Sequence, residues 1–194
     1  MIPVMTDARV PRQTDAGKAS TRALLLDAAI HIAGTQGPDK VTYRSVGAQA
    51  GMSHSLVRFY FGTREELVSQ AFERAARRDA AEAGLLAHDV ESFAAGLVRT
   101  ISDAPDRQLI QYDYLLRAVR GGGPLEPVTD LYDYYIEQVA GTLANLGIDD
   151  PDGTLATLVF AALDGLVLQH SIYRSAGRTE RVLAELRRIL TARL

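Results

Sequence analysis

From Arg22 onward, the apolar residues of this 194-residue chain recur with the 3.6-residue period of an α-helix, and no stretch alternates with period two. In the run A-L-L-L-D-A-A-I-H-I-A-G-T-Q-G, Leu25, Ala28, Ala29, Ile32 and Ala33 fall on one face, and Gly37-Pro38 ends it. Two short helices are expected next, over Thr42–Ala50 and Ser53–Phe61. Thr63 then opens a longer one that the pattern carries to about Ala87, with Thr63 and Glu66 spaced as a capping box. Five more are expected over Val90–Ser102, Pro105–Val119, Leu125–Leu146, Gly153–Ser175 and Thr179–Arg193. The expected fold class is therefore all-α with about nine helices. Residues 1–19 hold Pro3, Pro11 and Gly17 and keep no period, so they read as a flexible basic arm bearing Arg9, Arg12 and Lys18.

Composition excludes several chemistries. There is no cysteine, which removes disulfides, thiolate-bound zinc, iron–sulfur clusters and a thiol nucleophile. No apolar run is expected to approach a membrane span of ~20 residues, and Met1–Ser20 lacks the apolar stretch of a signal peptide. A cytoplasmic location is the expectation. The net charge of −3 conceals an asymmetry: residues 1–64 carry 8 Lys/Arg against 4 Asp/Glu, whereas 65–194 carry 13 against 20. A basic front on an acidic remainder suits a front that meets a polyanion.

The densest information lies between Thr42 and Arg64. Two short helices parted by Gly51, Met52 and Ser53 make a helix-turn-helix pattern. Val46 and Ala50 can pack on Val57 and Phe61, and Gly51 permits the sharp turn. Thr42 and Ser53 are placed to cap the two helices, whose N-terminal N–H groups favour phosphate. Outward on the second helix lie His54, Ser55, Arg58 and Tyr60, mostly hydrogen-bond donors on a helix slim enough for a major groove. Solvated surface is the plain reading of Arg44, Arg58 and His54, and packing on the first helix that of Tyr60.

The stretch Arg22…Leu25-Leu26-Asp27-Ala28-Ala29, then Gly37, then T-Y-R-S-V-G-A-Q-A-G-M-S-H-S-L-V-R-F-Y-F-G-T-R-E-E-L resembles the TetR family of bacterial transcriptional regulators. L-D-G-L-V-L-Q, from Leu163, is similar to a feature of the family's dimer helix. The resemblance implies a helix-turn-helix DNA-binding domain over 20–66 and a larger helical ligand-binding and dimerisation domain over 67–194. It implies a homodimer on a palindromic double-stranded DNA operator, released by an unknown small-molecule effector. By the same likeness, Thr42 touches phosphate, Arg44 reaches a base, and His54, Ser55 and Leu56 face base edges. Tyr60 meets the backbone, and Arg64 keeps the charge of a usual lysine. Arg58 and His54 replace a frequent tyrosine and lysine, so no operator sequence carries over.

In the second half, tyrosines crowd the segment 93–135. Phe93, Gln111, Tyr114, Leu115, Tyr132 and Tyr135 are candidate pocket residues, although aromatics at helical spacing also build plain core. Leu155, Val159, Ala162, Leu166, Gln169 and Tyr173 form one stripe, joined by Val182, Leu186 and Ile189 from the last helix. This pair is a candidate dimer interface. No catalytic residue, metal site or cofactor is expected, since G-x-S-x-G, H-E-x-x-H and a phosphate-binding glycine loop are all missing. The rival reading is a small-molecule carrier or an enzyme on a helical fold with a vestigial helix-turn-helix.

Overall fold

The computed structural model describes residues 15–194, which form nine α-helices and no strand among them. These are α1 (Asp15–Gln36), α2 (Tyr43–Ala50), α3 (His54–Phe61), α4 (Arg64–Ala83), α5 (Leu97–Asp103), α6 (Pro105–Val119), α7 (Glu126–Asn145), α8 (Thr154–Tyr173) and α9 (Ala176–Thr191). A 3-10 turn, Pro38–Lys40, links α1 to α2. Most of the arm expected over 1–19 lies outside the described residues. Its last part is helical instead, because α1 starts at Asp15, seven residues before the expected start at Arg22.

Local chemistry sets the short helices. Thr42 caps α2: its Oγ1 accepts from Ser45 N (3.1 Å), and Ser45 Oγ accepts from Thr42 N (2.9 Å), a reciprocal box. Gly51 closes α2 in the left-handed region (φ 67°), where a Cβ would be strained. Ser53 Oγ accepts from Leu56 N at 3.2 Å and opens α3. At α4, Thr63 Oγ1 accepts from Glu66 N (3.1 Å), but the Glu66 carboxylate turns to Gln70, so only half of the expected box forms.

The long helix ends at Ala83 rather than Ala87, stopped by Gly84 at φ 76°. The helix expected from Val90 starts only at Leu97. Side chains of α7 satisfy the backbone of the intervening segment. Thr142 Oγ1 accepts from Ala87 N and donates to Leu85 O, both at 2.7 Å, and Asn145 Nδ2 donates to Ala87 O at 2.9 Å. With its polar groups already paired, this segment has no need of helix.

There are two cores. The smaller joins Leu25, Ala29 and Ile32 of α1 to Val46, Val57, Phe61, Leu67 and Ala71, and it also receives Ile110 from α6. The larger is built from α4 to α9 around Phe72, Phe93, Val139, Leu143, Val159 and Leu163. α6 is the bridge: at Gly34, a Cβ would lie 2.4 Å from Asp106 Cα, so α1 and α6 meet backbone to backbone. His31 Nδ1 and Asp106 Oδ2 stand 2.9 Å apart across the same contact.

The expectation that no segment approaches a membrane span needs correction at α8. An 18-residue window of this 20-residue helix has a mean hydropathy of 1.6, long and apolar enough by length and composition alone. One side of α8 is nonetheless packed into the larger core through Ala156, Val159, Phe160, Leu163 and Leu166.

Candidate DNA interface and effector cavity

α3 stands on its core by Val57 and Phe61 and presents His54, Ser55, Arg58 and Phe59 to solvent, with Phe59 78% exposed. Thr42, Arg44 and Ser53 are exposed beside it. Leu56 and Tyr60 are half-buried, and the Tyr60 ring meets Phe59 edge-on at 5.6 Å. Sequence reasoning passed over Phe59. Its position one residue beyond Arg58, on the turn facing away from Val57, was the signal that could have found it. Arg64 is engaged within the chain. Its Nε donates to Val41 O (2.7 Å) and its Nη2 to Pro38 O (2.6 Å), so the guanidinium ties the α1–α2 connection to α4. Tyr43 makes a matching tie by donating to Gly62 O (2.7 Å).

The second site is a cavity among α4 to α8, with an empty volume of about 650 Å³ counted out to its mouth. Much of that volume is solvent at the mouth, and the enclosed part is about 70 Å³. Of the expected pocket residues, Gln111, Leu115, Tyr132 and Tyr135 line it. Tyr114 and Phe93 do not. The Tyr114 ring stacks at 4.3 Å on Phe72, which is itself a lining residue, and Phe93 is fully buried core whose carbonyl accepts from Arg187.

Polar wall groups that the sequence did not single out are Asp79, Gln108, Thr100 and Asp164. Asp79 is buried. Its Oδ2 accepts from Gln108 Nε2 and Gln111 Nε2, each at 2.6 Å, and its Oδ1 lies 2.8 Å from Arg107 Nε. That last approach is not aligned as a hydrogen bond, so the attraction is chiefly coulombic. Burial pushes the Asp79 carboxyl up to about 7 against the pull of Arg107 and the two amides. Arg107 also binds Glu82, and hydrogen bonds from Arg107 and Arg78 hold Glu82 down at about 2. Tyr135 donates to Gln111 Oε1 (2.8 Å), extending the network. Asp79 was visible in the sequence as a lone carboxylate in phase with Ala75, Ala76 and Ala83.

On the candidate dimer helices, Ala162, Gln169, Tyr173, Val182 and Ile189 are exposed. Val159 and Leu166 are not available to a partner: both are buried in this chain's own core, and Leu155 and Leu186 pack against it. α8 is apolar over most of its girth, so its period alone could not phase it. Its outward apolar side also includes Leu158, Leu168 and Ile172.

The family described as bacterial regulatory proteins, tetR family, matches residues 25–71, and the tetracyclin repressor-like C-terminal domain matches residues 87–192. No curated protein matches the chain. Among solved structures, a TetR-family regulator from Rhodococcus sp., 17% identical, is similar over 90% of this chain and 98% of its own with a TM-score of 0.71. A TetR-family regulator from Mesorhizobium loti, 16% identical, is similar over 92% and 98% with a TM-score of 0.68. The multidrug binding protein EbrR, solved with ethidium, is 27% identical over 86% of this chain and 97% of its own, with a TM-score of 0.56. With both domain families matched in order on an all-helical chain that presents a capped helix-turn-helix, the protein belongs to the TetR family of DNA-binding transcriptional regulators.

Proposed function

We propose that the protein is a ligand-released repressor that binds a palindromic operator as a homodimer. The observation that carries this reading is α3: a helix with a capped N-terminus, held by two buried residues and offering His54, Ser55, Arg58 and Phe59 outward. In this reading Arg58 makes bidentate contact with guanine or phosphate, and Phe59 meets thymine methyl groups or sugar. His54, Ser55 and Leu56 face base edges, Arg44 reaches a base, and Thr42, Ser53 and Tyr60 fix register on the backbone. Arg64 acts indirectly, by holding the α1–α2 connection. A second copy covers the apolar outward side of α8 and α9, and the two-fold axis sets the α3 helices about 34–36 Å apart.

The cavity is the effector site in this proposal, a reading supported by the ethidium held in the similar EbrR. α6 lines the cavity with Gln108, Gln111 and Leu115 and touches α1 with Asp106 and Ile110. A ligand that prefers one setting of α6 thereby shifts the population of DNA-competent dimers. Selection of bound fragments from a random duplex library tests the proposal. A palindromic consensus and a steep loss of affinity with salt are expected. Binding with no salt dependence would instead mark a carrier with a vestigial helix-turn-helix.

A further inference from the structure

The charged side chains in the cavity wall are both acidic, Asp79 and Asp164, and no Lys, Arg or His lines it. The two acids are not equivalent. Asp79 is answered by Arg107 and two amide donors. Asp164, half-buried on α8, accepts only from Tyr132 (3.3 Å) and Tyr112 (3.4 Å), and among the described residues no basic group pairs with it. Both tyrosine contacts are long, so the carboxylate holds acceptor capacity in reserve.

The wall around Asp164 is aromatic. Tyr135 stacks on Phe160 at 5.1 Å, and Tyr132 meets Phe160 edge-on at 5.2 Å. A second, independent feature points to a ligand: Thr100, only 3% exposed, lines the same cavity, and its Oγ1 has no hydrogen-bond partner. A buried hydroxyl left unpaired is costly, and a polar atom of a guest would relieve it. An anionic guest would meet the Asp164 carboxylate and no lining cation. A neutral apolar guest would bury Asp164 further with nothing to offset its desolvation. A cation meets a carboxylate and several ring faces at once, the combination that binds organic ammonium groups.

We propose that the cavity takes a small lipophilic organic cation, its charged centre set against Asp164 and the surrounding rings and its far end within reach of Thr100. This rests on the reading of the cavity as the effector site. Asp79 serves to position Gln108 and Gln111, since its two oxygens are already engaged by Arg107 and these amides.

The test is calorimetric titration of the full-length protein with phenyltrimethylammonium, its uncharged isostere tert-butylbenzene (measured by competition) and benzoate. The cation is expected to bind at least about tenfold more tightly than the isostere, with benzoate not binding. Asp164→Asn should remove that preference and leave the isostere unchanged, whereas Asp164→Glu should retain it; circular dichroism of both variants reports folding. Equal binding of cation and isostere, a preference that survives Asp164→Asn, or no saturable heat with millimolar cation each overturns the proposal. Gel-shift titration with duplex DNA separates the two readings. Loss of the cation preference with DNA binding intact removes only the ligand class. A preserved preference with no DNA binding removes the regulator reading instead.

Discussion

α3 and the cavity treat polar side chains in opposite ways. On α3, His54, Ser55 and Arg58 are exposed and rest on a few buried apolar residues of their own neighbourhood. In the cavity, Asp79, Gln108, Gln111 and Tyr135 are drawn from three helices into a network where each group needs its neighbours. An exposed side chain can be exchanged at little cost to folding, so the outward face of α3 is free to vary. A buried network is held by its own satisfaction, so the cavity tolerates less change.

That contrast can be broken or sharpened in order of effect. Arg107→Ala should be the most damaging substitution, costing about 3–5 kcal/mol in denaturant unfolding because it strands Asp79 without its cation. A cost below that of an ordinary surface change would show the network to be dispensable. Arg58→Ala should leave stability alone and weaken duplex DNA binding by about 1–3 kcal/mol. Unchanged affinity in a fluorescence-anisotropy titration would remove Arg58 from the interface. Gly34→Ala tests the joint between the regions. Its Cβ would meet the Asp106 backbone, and overpacking there should cost about 1–3 kcal/mol.

The pH dependence is smaller and has a definite sign. Asp79 rises from an ordinary 3.8 to about 7 on folding, so the folded state holds its proton more tightly than the unfolded chain. Its contribution is complete below pH 4 and is lost as pH rises toward 7. Glu82 works the other way, its contribution present above about 4.5 and lost as pH falls toward 2. Asp79→Asn should therefore flatten the decline in thermal stability between pH 4.5 and 7, and an unchanged slope would assign that decline elsewhere. His31→Gln should have the least effect, within about 1 kcal/mol, because His31 is half exposed and its pair with Asp106 is reached by solvent.

Much of the helix-turn-helix was legible in the chain. Thr42, Gly51 and Ser53 are turn and cap residues whose roles are set within three or four positions, and helix edges there fell within a residue of expectation. Legibility failed where partners are distant in sequence. The segment after Gly84 kept its helical pattern but gave its backbone to Thr142 and Asn145, more than fifty residues away. Val159 and Leu166 looked suited to a partner because α8 is apolar nearly all round, and only packing against α7 fixed which side turned inward.

The amino-acid order alone determined that the chain is helical, where most helices stop, and that a donor-rich short helix follows a glycine turn. These follow from periodicity and from hydrogen bonds closed between near neighbours. Tertiary structure alone decided that Asp79 meets Arg107, that Asp164 faces tyrosines without a cation, and that α6 touches both α1 and the cavity wall. Such juxtapositions depend on how helices cross, and a one-dimensional pattern carries the period of each helix but not the angle at which it meets the next.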